Sequence, residues 1–234
     1  MPDTQIHSDL PSSQRAFVAM FDVLGFKDML ERTSLADIAS AYRSLIDAKL
    51  MAARVPVGAR SGVSVEVSGT TIFSDTILVW SDDTWDAVQS FLVSCSVLIG
   101  TALGRGWPLR GGIAYGDVIL NRAERIFVGQ PIVDAHLTEC SQDWVGAALH
   151  PSVLSHVTFG ANIASLQDVI AYPVPVKAGA SPLSHALHWC PYSTDSRTHL
   201  ATLRSAARNP GAQAKYDATL AYLDRHCRNY QSNS

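Results

Sequence analysis

The chain has 234 residues, 47% of them hydrophobic and 17% charged, so it can bury a substantial core and is not a disordered polymer. A formal net charge of -3 excludes a nucleic-acid binder that works through a broad basic surface. A small anionic ligand stays possible, because it needs only a local cluster of cations.

Residues 1–15 mix acids, Pro and Ser without an apolar stretch, which predicts a disordered leader and no secretory signal. Ala16 to Leu24 (AFVAMFDVL) is almost continuously apolar and is stopped by Gly25, the pattern of a buried strand. Ser34-Leu35-Ala36-Asp37 has the form of a capping box. It opens a helix whose Leu35, Ile38, Tyr42, Leu45 and Ile46 recur at helical spacing, with Pro56 and Gly58 ending it. Val63 to Val67 alternates, and after Ser68-Gly69-Thr70 the run Ile72 to Trp80 (IFSDTILVW) reads as the second strand of a hairpin.

The Ser81-Asp82-Asp83-Thr84 cluster caps an apolar helix from Trp85 to Leu103, stopped by Gly104 and Gly106. Leu109 to Leu120 is a strand whose glycines mark close approach of another backbone or a ligand. A short helix from Gly129 to Glu139 and strands near Val145–Leu149, Val169–Tyr172 and Ala186–Trp189 follow. Thr194–Ala207 and Ala212–Asn229, separated by Asn209-Pro210-Gly211, form a terminal helical hairpin. The order is βαββαβ plus extensions, an α+β, ferredoxin-like core. The domain reading is a catalytic domain over 16–192 and a helical appendage over 193–234.

Cys95, Cys140, Cys190 and Cys227 stand far apart with no C-x-x-C pair, so free thiols are expected, with neither zinc nor a disulfide framework. No uninterrupted apolar run has the length of a bilayer span, and a soluble, cytoplasmic protein is expected.

Two acids interrupt apolar strands: Asp22 in AMFDVLGF and Asp75 in IFSDTILVW. An unpaired carboxylate removed from water costs several kcal/mol, so each needs a partner. In a βαββ core the first strand lies beside the hairpin, which lets the two meet at one edge. The alternatives are that one is a turn residue or pairs with Arg110. Hard oxygen ligands without His or Cys suit Mg²⁺ or Mn²⁺, with triphosphate oxygens completing the shell.

FDVLGF resembles the first metal-binding strand of the class III nucleotidyl cyclases, and FSDTILVW resembles their hairpin with the second metal Asp, although Ser74 stands where Gly is usual. LRGGIAYGDV is similar to their R-x-G-I-x-x-G strand, and VGQPIVDAHLTE to their helix that ends in an acid. The resemblance implies the class III cyclase fold and two metal ions held by Asp22, Asp75 and the Val23 carbonyl. It also implies a nucleoside triphosphate substrate and a homodimer with shared sites.

Thr71 replaces the Lys with which purine cyclases read the base, and Val133 and Leu137 replace their transition-state Asn and Arg. With the short length and the P-V-P-x-K segment Pro173 to Lys177, the pattern is closer to the Pycsar pyrimidine cyclases. That resemblance implies production of cyclic UMP or cyclic CMP with Mn²⁺ in antiphage defence, and a cyclic-nucleotide-sensing effector as partner.

By the same resemblance Arg110 contacts phosphate, with a salt bridge as the alternative, and Lys177 reaches the terminal phosphates. Phe26 walls the nucleotide or packs in the core. Tyr42 either packs in the core or narrows the base pocket to pyrimidine size. Asp134 and His136 have no assigned direction, and Arg122 and Arg125 are candidates by charge for the missing Arg. Competing readings are a catalytically inactive cyclase-fold module, a palm-type nucleotidyl transferase, and a purine cyclase.

Overall fold

A computed structural model describes residues 12–52 and 69–227. The first apolar run forms β1 (Gln14–Val23), followed by the short α1 (Phe26–Leu30) and the long α2 (Leu35–Ala52). A hairpin of β2 (Thr70–Phe73) and β3 (Thr76–Asp82) leads into α3 (Trp85–Leu103), β4 (Leu109–Asn121), β5 (Ile126–Gly129) and α4 (Gln130–Ser141). Then come β6 (Gly146–Leu149), α5 (Pro151–Leu154), α6 (Val157–Asn162), β7 (Val169–Ala171), β8 (His185–Leu187), α7 (Ser196–Ala206) and α8 (Pro210–His226).

The sheet runs β2-β3-β1-β4-β6-β8-β7, with β5 folded back onto β4. β1 is antiparallel to both β3 and β4. Strand β1 is thus paired along both edges and packed against an apolar cluster on each face, which explains why it reads as an unbroken apolar run rather than an alternation. Phe17, Ala19, Phe21 and Val23 enter the main core with Leu45 of α2 and Phe91, Leu92 and Leu98 of α3. Ala16 and Val18 point the other way, into a smaller cluster with Leu78, Trp80 and Val118. By the same period of two, Asp22 belongs to this second face, beside Met20.

The capping box holds: Ser34 Oγ accepts the Asp37 N–H at 3.1 Å and donates to its carboxylate at 2.7 Å. Helix α3 has the length and composition that a membrane span would need. It is 72% buried inside the protein, which makes it the central core helix.

Several local readings are corrected. The run Ile72 to Trp80 is not one strand; it turns at Ser74-Asp75, so the hairpin lies later than expected. The expected strand Val63 to Val67 and the helix stop at Pro56 and Gly58 lie outside the described residues. Asn209-Pro210 begins α8, with Asn209 Oδ1 accepting the Ala212 N–H at 2.6 Å and Pro210 at the position that needs no donor.

The terminal helices are sewn to the sheet. Thr219 Oγ1 of α8 accepts the Val145 N–H at 2.8 Å, and the buried Tyr222 donates to the Leu187 carbonyl at 3.1 Å. Their return path also overturns one cysteine expectation. Cys190 and Cys227 are joined in a disulfide across 37 residues, and Cys95 and Cys140 take no part in it. Spacing along the chain carries no trace of this pair, because a helical hairpin creates it.

Helix α4 lies on the second face, and Gly112 of β4 makes that approach possible. A Cβ there would stand 2.2 Å from the Ala135 carbonyl oxygen and 2.8 Å from the Glu139 nitrogen, both backbone atoms of α4. Gly112→Ala is expected to lower stability by about 1–3 kcal/mol or more, as overpacking does. Urea denaturation measures it; an unchanged midpoint would show that α4 yields freely.

Candidate active site

The sheet brings Asp22 and Asp75 together at the C-terminal end of β1. Asp22 stands across from Thr76 of β3 and Arg110 of β4. Asp75 is the second residue of the β2–β3 turn, and its carbonyl accepts the Val23 N–H at 3.3 Å. The two side chains lie within hydrogen-bonding reach of each other. Asp75 is thus a turn residue, as one sequence alternative had it, and still meets Asp22.

The turn is held from beneath. Tyr42 of α2 donates its hydroxyl to the Ser74 carbonyl at 2.9 Å, and its ring meets Trp107 edge-on at 5.1 Å and Phe26 at 6.4 Å. Tyr42 and Phe26 are both buried core residues. Ser74 has φ 56°, the left-handed region that favours glycine, which is the physical reason Gly is the easier residue before this Asp. Gly25, at φ 77°, makes the sharp exit from β1 into α1.

Arg110 does not present a free fork to a phosphate; the sequence alternative of an acid partner is what the structure shows. Its Nε and Nη2 lie 2.6 and 2.5 Å from Glu139 Oε1, and Nη1 donates to the Gln142 carbonyl at 3.1 Å. All three residues are buried. The network closes on itself: Gln142 Nε2 donates to the Gly111 and Thr138 carbonyls, Trp144 donates to Gln142 Oε1, and Cys140 donates to Glu139 Oε2 at 3.1 Å. Sequence reading marked Glu139 only as the acid ending its helix. An arginine inside a buried strand was the signal that such an acid had to exist.

Burial raises the Asp22 carboxyl to about 6, with the Glu139 and Asp75 charges adding to it and Arg110 opposing it. The same burial and the two aspartates push the Tyr42 hydroxyl well above its usual range. Two carboxylates beside the end of β1 form a hard oxygen donor set that fits Mg²⁺ or Mn²⁺. Val23 belongs to the same strand end, with its side chain in the core.

Lys177 lies outside any strand, exposed, its N–H donating to the Ser141 carbonyl at 2.7 Å. On α4, Val133 and Leu137 are 49% and 60% exposed, so the positions of the missing Asn and Arg form an apolar stripe. Asp134 accepts from Gln130 at 2.8 Å, and His136 is exposed. Arg122 lies over the Trp80 ring at 5.0 Å. With Arg125, Thr71, Phe73 and Phe127 it lines a cleft of about 600 Å³ on the β2 side of the sheet.

No protein-family model and no curated protein matches the chain. Solved structures do. The catalytic core of a rhodopsin-guanylyl cyclase with converted specificity, in complex with ATPαS, superposes with a TM-score of 0.52 at 11% identity, over 75% of this chain and 96% of that one. The fold is that of the class III nucleotidyl cyclases. A bacterial light-regulated adenylyl cyclase gives 0.51 at 11% identity, over 84% of this chain and all of that one (100%). An adenylate cyclase from Trypanosoma brucei, in its monomeric state, gives 0.50 at 13%, over 82% and 96%. On this cyclase fold the two aspartates sit at the ends of adjoining strands.

The raised Asp22 carboxyl has a measurable consequence. The folded chain holds this proton more tightly than the unfolded chain, whose Asp titrates near 3.8, so it binds more protons between 3.8 and 6. Stability is therefore lost as pH rises through that window. Asp22→Asn is expected to be more stable than the wild type above pH 6 in chelator, the difference shrinking through the window and vanishing below it. Urea titrations across pH measure this, and excess Mn²⁺ should raise the wild-type midpoint but not that of the variant.

Proposed function

We propose that the chain is a nucleotide cyclase that closes a pyrimidine nucleoside triphosphate, UTP or CTP, into its 3′,5′-cyclic monophosphate and pyrophosphate. The observation that carries the reading is the contact of Asp22 and Asp75 at the end of β1 and the β2–β3 turn, within a class III cyclase fold.

Asp22 and Asp75, with the Val23 carbonyl, would hold two divalent ions, Mn²⁺ or Mg²⁺. Such ions lower the pKa of a ribose hydroxyl and neutralise charge on the triphosphate when bound. The chain's own part is positioning. Tyr42 and the Val23 N–H fix the turn that carries Asp75. Arg110, anchored by Glu139, limits the charge at Asp22 without being drawn onto the substrate. The cleft with Arg122, Arg125, Thr71 and three aromatic rings offers cations for phosphate and flat faces for a base. Threonine at the purine-reading position supports a pyrimidine.

A homodimer with shared sites is part of the proposal. It is supported by the exposed apolar residues Phe73 on the hairpin, Ile126 and Val128 on β5, and Val133 and Leu137 on α4. The resemblance to Pycsar enzymes extends the reading to a cytoplasmic second-messenger role in antiphage defence, with a cyclic-nucleotide-sensing effector as partner. The apolar stripe in place of Asn and Arg favours one other reading, a catalytically inactive nucleotide-binding module.

Incubation with ATP, GTP, UTP and CTP separately, with Mn²⁺, and mass spectrometry of the products decides among them. Cyclic UMP or cyclic CMP is expected, and Asp75→Ala should lower turnover more than about 100-fold, beyond what loss of a mere outer-shell partner brings. Cyclic purine products would assign a purine cyclase, a linear or dinucleotide product a transferase, and no product the inactive module.

A further inference from the structure

The C-terminal half holds a second cluster of chemically potent side chains, separate from the two aspartates. A ring nitrogen of His188 and the sulfur atoms of Cys190 and Cys227 lie within 4.8 Å of one another. Two separate pieces of chain supply them. His188 follows β8, Cys190 opens the 3₁₀ turn Cys190–Tyr192, and Cys227 caps the end of α8. Both cysteines are almost fully buried, at 4% and 2% exposure, so the donors sit where water does not compete.

The imidazole is oriented for a ligand's role. His188 Nδ1 lies 3.2 Å from the Gln167 carbonyl oxygen. A carbonyl only accepts, so the ring proton belongs on Nδ1 and Nε2 keeps its lone pair. A backbone carbonyl on the far nitrogen is how metal-binding histidines are commonly held. A second imidazole stands close by. His226 directly precedes Cys227, its Nε2 is buried without a hydrogen-bond partner, and its ring rests on Tyr172 and Tyr222.

Two sulfurs with one or two imidazoles form a soft donor set of the kind that selects Zn²⁺. We propose that the dithiol form of Cys190 and Cys227, together with His188, binds one structural Zn²⁺ that clamps the end of α8 to the edge of the sheet. His226, next to Cys227 in the chain, is a candidate for the fourth position. Binding forms two Zn–S bonds and one Zn–N bond and releases the two thiol protons to solvent, with no electron transferred. The disulfide and the zinc site use the same two sulfur atoms and exclude each other. An external thiol or phosphine reductant that supplies two electrons to the S–S bond converts one form into the other.

The inference is independent of the cyclase reading, and its test does not involve turnover. The full chain is reduced with a phosphine, loaded with Zn²⁺, passed through metal-free buffer and assayed for metal content. Alkylation followed by peptide mapping then reads each cysteine. The expected result is one zinc per chain, with Cys190 and Cys227 shielded and Cys140, half-buried and outside the cluster, still reacting. Cobalt(II) in place of zinc should give the intense visible absorption of a tetrahedral thiolate site.

His188→Asn, at a partly exposed position that leaves the core intact, should weaken zinc at least about 100-fold while preserving the circular dichroism spectrum. The proposal is overturned by any of three outcomes. These are a reduced chain that retains no zinc, zinc retained while Cys190 and Cys227 alkylate freely, or a chain that unfolds on reduction even with zinc present.

Discussion

Two carboxylates in contact, half removed from water, repel each other unless a cation compensates them, and the region around Asp22 and Asp75 is organised by that constraint. The nearest guanidinium, Arg110, stands directly across the β1–β4 ladder. Yet its fork is taken by Glu139, so three acids share one arginine. Burial, with this excess negative charge adding to it, raises the Asp22 carboxyl to about 6. A divalent ion relieves this imbalance in a way that a further arginine in the same strand would not, because it adds charge without closing the site to substrate.

The fold supplies the rigidity this arrangement needs. Asp22 lies on an inner strand, fixed on both edges by β3 and β4. Asp75 lies on a tight turn, intrinsically less constrained, and that turn is braced by the Val23 N–H and by the Tyr42 hydroxyl rising from α2. Because Gly112 lets α4 come within backbone contact of β4, Glu139 and Gln142 reach Arg110. The internal position of Arg110 is therefore a property of helix packing as much as of the strand that bears it.

At the far edge of the sheet the terminal helices act as part of the same structure. Tyr222 stacks on Trp189 and meets Trp144 edge-on, and Thr219 binds the backbone just before β6. The pairing of Cys190 with Cys227 fastens this region once more. Conformational coupling between the edge and the aspartates has a physical route through β6 and the Arg110–Gln142–Trp144 network, all of it buried.

Much of this was legible in the chain itself. The unbroken run around Asp22, the capping box at Ser34, the apolar helix from Trp85 and the Gly-rich strand from Leu109 each carry their own periodicity, so their types follow from local pattern. Acids in apolar surroundings announce a site because burying charge is costly wherever the chain goes. What local pattern does not contain is pairing at a distance. Whether Arg110 meets phosphate or Glu139, whether Asp75 sits in a strand or a turn, and whether Cys190 finds Cys227 depend on helix α4, a two-residue bend and a helical hairpin. Those are decided by packing among elements far apart in sequence, and only the tertiary structure contains them.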